Sequence, residues 1–129
     1  MLPAAQLRDE RVRVLLVEDE VFIRIDTAEH LRARGFEVVE AGSADDAVDY
    51  VASGERIDVL VTDIRMPGSL DGLALAARLR AEQPDLPIVV ASGSVTMESA
   101  ASRVGKFISK PYDPSSIAKL IAEMLGPAL

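Results

Sequence analysis

The sequence predicts an α/β fold, a doubly wound parallel sheet of five strands. Two patterns carry this reading. Five apolar runs of strand length recur along the chain, and segments with helical spacing separate them. Such alternation needs crossover connections, which give parallel strands with helices on both faces of the sheet. The length agrees, since 129 residues make one domain with a real core and too few for two ordinary ones.

Taken in order, the first strand is read over 12–17 (VRVLLV), where apolar residues on both faces mark a strand covered from both sides. A helix follows over roughly 20–34 and ends at Gly35, a residue suited to the position just past a helix. The second strand covers 36–41 (FEVVEA). The next helix opens at Ser43, with Asp46 three residues on in a capping-box pattern. Its apolar face is Ala44, Ala47, Val48 and Val51, and Gly54 follows. The third strand is 57–62 (IDVLVT), and its helix runs from about Asp71 to Gln83, stopping before Pro84. The fourth strand, 87–92 (PIVVAS), leads into a short, weakly patterned helix near Val95 to Arg103. The fifth strand is 105–109 (GKFIS). The last helix begins at Asp113-Pro114, a capping acid followed by proline at the first helical position, and its stripe is Ile117, Leu120, Ile121 and Met124. Residues 1–11 read as a short N-terminal tail, 12–126 as the domain, and the final GPAL as a fraying end.

Composition removes several functions. Apolar residues make up 49% and charged residues 27%, as in a globular protein. The absence of Cys excludes disulfides, thiolate catalysis and Cys-based zinc sites. A single His, His30, excludes a multi-histidine metal site, and its neighbours Glu29, Arg32 and Arg34 make it a surface helical residue. The net charge of −7 argues against direct DNA binding, which needs clustered Lys and Arg. The start of the chain lacks the apolar region of a signal peptide, and no apolar run approaches the ~20 residues needed to span a membrane, so a cytoplasmic location with no membrane association is expected.

Sites in open α/β sheets form at the carboxyl ends of the strands. The first strand ends in Glu18, Asp19 and Glu20, the third at Asp63, the fourth at Ser92 and the fifth at Lys110, which Pro111 follows. Carboxylates converging at one rim repel each other unless something positive sits among them. A hard cation such as Mg²⁺, with its taste for oxygen ligands, meets that need. Glu18 and Asp19 are read as facing the pocket, and Glu20 as a first-turn acid favoured by the dipole of the following helix. A carboxylate can serve as a nucleophile toward phosphorus, while the Ser92 hydroxyl and the Lys110 ammonium suit phosphoryl oxygens. Only three of the 14 basic residues are lysines, Lys106, Lys110 and Lys119, so one at a strand end carries weight.

Four motifs in order, "LLVEDE", "VTDIRMPG…DG", "VVASG" and "KFISKPY", resemble the receiver domain of bacterial two-component response regulators over residues 12 to about 125. Alone, Asp63 would be read as a capping or loop acid; the four motifs together point elsewhere. The resemblance implies a flavodoxin-like (βα)5 fold with strand order 2-1-3-4-5. It implies that Asp63 is the phosphoacceptor. Glu18, Asp19, Asp63 and the backbone carbonyl of Arg65 would form the site for Mg²⁺, or Mn²⁺ in its place. Ser92 would be the switch hydroxyl, Lys110 the phosphate-pairing lysine, and Phe107 the aromatic that changes exposure on activation. It also implies a cis peptide before Pro111 and leaves Gly93 as open space beside Ser92. The expected partners are a histidine kinase or phosphotransfer protein as phosphodonor and an unidentified output protein, with room for a weak homodimer. The only chemistry expected is Mg²⁺-dependent phosphorylation and dephosphorylation of the chain itself.

The sequence departs from the family pattern in three places. "MPGSLDG" carries one extra residue between Pro67 and Asp71-Gly72, lengthening the loop beside Asp63. The span from Ser92 to Lys110 leaves room only for a reduced fourth helix. Arg65 and Ser94, each two residues past a site residue, are candidates for setting the lifetime of the phosphate. With the last helix using up the chain, no effector domain is expected, and a single-domain regulator or relay intermediate is the reading, ahead of a receiver excised from a longer protein. Two rivals stand beside it. One is a receiver-like interaction module that is never phosphorylated. The other is an aspartyl-phosphate hydrolase, which would need a second acid just after the nucleophile where Ile64-Arg65 stands.

Overall fold

A computed structural model describes residues 11–66 and 68–126. Pro67, most of the expected 1–11 tail and the end of GPAL lie outside the described residues. The elements follow in the expected alternation: β1 (Arg13–Val17), α1 (Val21–Ala33), β2 (Glu37–Ala41), α2 (Ala44–Ala52), β3 (Val59–Asp63), α3 (Gly72–Glu82), β4 (Ile88–Ser92), a single 3₁₀ turn (Val95–Met97), α4 (Glu98–Ser102), β5 (Lys106–Ser109) and α5 (Pro114–Leu125).

The five strands form one parallel sheet in the order β2-β1-β3-β4-β5. Period-2 alternation sends the two faces of each strand to two separate cores. Leu15, Val17, Leu60, Ile88 and Val90 face Ala44 and Ala47 of α2, Leu75, Ala76 and Leu79 of α3, and Ala101 of α4. Val14, Leu16, Val59, Val61 and Val89 face Ala28 and Leu31 of α1 and Ile117, Ala118 and Ile121 of α5. Burying each large aliphatic side chain contributes about 1.5–3 kcal/mol, so runs apolar on both faces are stable only as interior strands.

Local chemistry sets the ends. Ser43 Oγ accepts from the Asp46 amide at 3.1 Å to cap α2. Asp71 Oδ1 accepts from the Ala74 amide at 2.8 Å to cap α3. Asp113 caps α5 by accepting from the Ser115 amide at 2.9 Å, with Pro114 at the first position. Gly35 takes φ 94°, as a residue past a helix end does at low cost only when it lacks Cβ.

Two expectations are corrected. Each strand starts one or two residues later than read, and β3 extends to Asp63 itself, because Asp63 pairs with Ala91 of β4. The phosphoacceptor candidate is thus a residue of the sheet and not of the loop after it. Glu20 is not a first-turn acid. It stands outside α1 in an extended conformation (φ −80°, ψ 111°), and its carbonyl accepts the first helical bond, from the Arg24 amide at 2.9 Å. The short fourth helix expected near Val95 to Arg103 is present, as the 3₁₀ turn plus the five residues of α4.

Candidate functional site

The carboxyl ends of β1, β3, β4 and β5 bring four of the singled-out side chains to one rim. Glu18 follows β1 and is held down by its own amide, which donates to Ala41 O at 3.0 Å. Asp63 ends β3, and Ser92 ends β4. Glu18, Asp63 and Ser92 are all buried. Lys110 Nζ lies between the two acids, donating to Glu18 Oε2 at 2.7 Å and to Asp63 Oδ2 at 3.0 Å. Glu18, Asp19 and Asp63 each present a carboxylate oxygen, and these oxygens lie within 4.8 Å of one another, with Asp19 the exposed member. Three hard oxygen donors at this spacing suit a divalent cation such as Mg²⁺.

The positive charge among the crowded acids is therefore built in, which the sequence reading had assigned only to a bound cation. One lysine does not balance three carboxylates, and burial leaves its mark. Glu18 holds its proton above the ordinary glutamate range, first because it is desolvated and also because Asp63 is near, with the Lys110 hydrogen bond opposing. Burial alone would pull the Lys110 ammonium down. Its hydrogen bonds to Glu18 and Asp63, and their charges, outweigh that and place it above the ordinary lysine value.

Backbone bonds tie the rim together. The Lys110 amide donates to Ser92 O at 2.9 Å, joining the two strand ends. Ser92 Oγ accepts from the Ser94 amide at 3.1 Å, while Ser94 Oγ shares a bond with Thr96 Oγ1 at 2.7 Å. A Cβ built on Gly93 meets nothing within 4 Å, so the space beside Ser92 is open. The Lys110–Pro111 peptide is cis. Phe107, in β5 opposite Val90, is half-buried against the core. Arg65 is exposed.

A family model described as the response regulator receiver domain matches residues 14–122. The chain belongs to that family. Among curated relatives, this receiver is 33% identical over 117 residues to the sensor kinase CckA of Brucella abortus, covering 87% of this chain and 12% of that protein. It is 36% identical over 117 residues to the response regulator MprA of Mycobacterium bovis, covering 88% of this chain and 49% of that one. The receiver thus spans half or less of the length of these relatives. A response regulator receiver protein from Sinorhizobium medicae superposes with a TM-score of 0.84 at 27% identity, covering 93% of this chain and 98% of that one. The receiver carries no helix, among the described residues, long and apolar enough to cross a membrane.

The structure also shows residues around the receiver site that the sequence reading had not singled out. Gly72, at the start of α3, donates its amide to Ile64 O at 2.8 Å, and a Cβ there would stand 1.6 Å from the carbonyl oxygen of Asp63. The "DG" pair was visible as a motif; the contact that requires the glycine was not. Arg24 reaches back from α1 to donate to Glu18 O at 2.9 Å and to Glu40 Oε1 at 3.3 Å, bracing the acidic turn. Tyr112 is held above the ordinary tyrosine value chiefly by burial, and its hydroxyl shares a 3.2 Å hydrogen bond with buried Thr27. That bond ties the segment after Lys110 to α1.

Proposed function

We propose that Asp63 accepts a phosphoryl group from the phosphohistidine of a histidine kinase or phosphotransfer protein, and that the 12–126 unit passes the signal on through its surface to an output protein. The observation that carries this reading is the placement of the Asp63 carboxylate, buried at the end of β3, 3.0 Å from Lys110 Nζ and in one cluster with Glu18 and Asp19. In the transfer, a carboxylate oxygen of Asp63 bonds to phosphorus, the P–N bond to the donor imidazole breaks, and the imidazole leaves with the electron pair.

Glu18, Asp19, Asp63 and the Arg65 carbonyl would hold Mg²⁺ or Mn²⁺, whose charge supports the phosphoryl oxygens. Lys110 is already bonded to Asp63 and would pair with a phosphoryl oxygen on the product. Ser92 would exchange its bond from the Ser94 amide for one to phosphate, and Phe107 would follow into the space this opens. Arg65 and Ser94 are the positions proposed to set the phosphate lifetime.

An exposed apolar surface supports a protein as the phosphodonor. Phe22 is 84% exposed on α1, next to Val21 and Ile25. It borders a groove of about 580 Å³ shared with Thr27, Pro111 and Tyr112, and Lys110 lines the same groove. A partner seated there would abut the phosphoacceptor through one side chain.

The test is incubation with Mg²⁺ and acetyl phosphate followed by intact mass measurement. A gain of one phosphoryl group that disappears in Asp63→Asn is the expected result. No gain would favour an interaction module that is never phosphorylated, and phosphate release without any phosphorylated protein would favour a hydrolase.

A further inference from the structure

The loop from Ile64 to Asp71 carries the extra residue and leads directly away from Asp63. Both of its ends are closed by hydrogen bonds. The Ile64 amide donates to Ala91 O at 3.1 Å and to Asp63 Oδ1 at 2.9 Å. At the other end the Gly72 amide donates back to Ile64 O at 2.8 Å. The middle of the loop is held from outside by one residue of α2. Ser69 Oγ donates to Asp45 Oδ1 at 2.8 Å, and the Ser69 amide donates to Asp45 Oδ2 at 3.4 Å. Gly68 packs against the same carboxylate: a Cβ there would stand 2.9 Å from Asp45 Oδ2, and its φ of 119° disfavours any other residue.

We propose that Asp45 is a positioning residue for the phosphoacceptor site, a clamp that fixes the lengthened loop and with it the Arg65 backbone. This rests on the reading of Asp63 and the Arg65 carbonyl given above. The argument is geometric. Along the chain, Arg65 lies between the bonds that hold Ile64 and the Asp45 bonds that hold Ser69, so the short stretch bearing its carbonyl is tethered on both sides before any ligand arrives. Binding groups ordered in advance do not lose that freedom on binding. An extra residue adds backbone freedom that the ends alone do not remove, and the two Asp45 bonds and the Gly68 contact fall in the lengthened part. Asp45 is exposed on the first turn of α2 and its carboxylate has no role in the α2 cap, which Ser43 supplies.

Mg²⁺ affinity by titration calorimetry and phosphoryl uptake from acetyl phosphate would be compared across four variants of the whole chain. Asp45→Ala and Gly68→Ala should each weaken Mg²⁺ binding and slow uptake by about three- to tenfold, the effect of losing one or two exposed hydrogen bonds. Asp45→Asn keeps an acceptor for the Ser69 hydroxyl and should restore most of both. Asp46→Ala removes the neighbouring first-turn acid without touching the loop. It should share any loss of helix stability seen in metal-free melting but leave Mg²⁺ affinity as in the wild type. Equal Mg²⁺ affinity in Asp45→Ala and Asp46→Ala would overturn the clamp while leaving the phosphoacceptor reading intact. A wild type that neither binds Mg²⁺ nor takes up phosphate would overturn that reading, and the clamp's purpose with it.

Discussion

The two ends of β1 carry charge in opposite ways. At its start, Arg13 bonds Glu37 at 3.1 Å and Glu55 at 3.4 Å, its amide donates to Asp58 Oδ2 at 2.8 Å, and Arg56 pairs with Asp58. Much of this set is wet: the Glu55 and Arg56 side chains are 57% and 42% exposed. At the other end, the Glu18, Asp63 and Lys110 side chains are only 3%, 10% and 17% exposed, and a third acid, Asp19, stands beside them. The Glu55 and Arg56 pairs at the start of the strand are open to water and change stability little, while the Arg13–Glu37 pair, at 18% and 26% exposure, is more covered but balanced one to one. The buried, unbalanced set at its end is unfavourable by itself, because desolvated like charges repel strongly, and such sets cluster at functional sites.

The strongest way to break this contrast is to push the carboxyl rim apart. Gly72→Ala would drive a methyl group into the Asp63 carbonyl, 1.6 Å from where its Cβ would lie. Overpacking against backbone cannot relax by a side-chain turn, so a loss of about 3 kcal/mol or more is expected in urea melts, with phosphoryl uptake lost along with it. A melt within error of the wild type would mean that α3 can shift freely away from β3.

A second comparison removes one cation from each end. Lys110→Met strands Glu18 and Asp63 without their shared donor. The expected loss in metal-free protein is about 1–2 kcal/mol, below the figure for a fully buried pair because the site is partly open to solvent. Added Mg²⁺ should recover part of it. Arg56→Ala at the other end should change stability by about 0.5 kcal/mol or less. Similar losses at both ends would erase the distinction drawn between them.

The smallest effect is a pH dependence. Glu18 binds its proton more tightly in the folded protein than in the unfolded chain. The folded state is therefore favoured below the ordinary glutamate range and loses that advantage as pH rises through the raised value. Glu18→Gln, which mimics the protonated form, should melt higher than the metal-free wild type at neutral pH. The gap should close toward acid, and the variant should bind Mg²⁺ more weakly. A gap that widens as pH falls would reverse the sign assigned to Glu18.

Much of this site is legible in the sequence, and the reason is local. Strand ends are marked by where apolar runs stop, so Glu18, Asp19, Asp63, Ser92 and Lys110 could be placed on one rim by topology alone. Capping residues declare themselves in the same way, as Ser43 and Asp113 show. What escaped depends on distance through space. The bond from Lys110 to Glu18 spans 92 positions, and no pattern in the sequence says that the lysine will reach this acid as well as Asp63. Arg24, Tyr112 and Asp45 look like ordinary surface or helix residues until their partners are known. Glu20 was misread because one residue decides between the last extended position and the first helical one, where boundaries are least determined.

The order of elements, the two-faced burial of the strands and the identity of the groups at the rim follow from the sequence, because alternation, capping and apolar run length act over a few neighbouring residues. Tertiary structure alone decided how those groups are shared: Lys110 between two acids, Gly72 against the Asp63 carbonyl, and Ser69 on Asp45. Those contacts arise only when crossovers bring distant strand ends within hydrogen-bonding distance, a condition that the whole packed sheet meets and no single segment encodes.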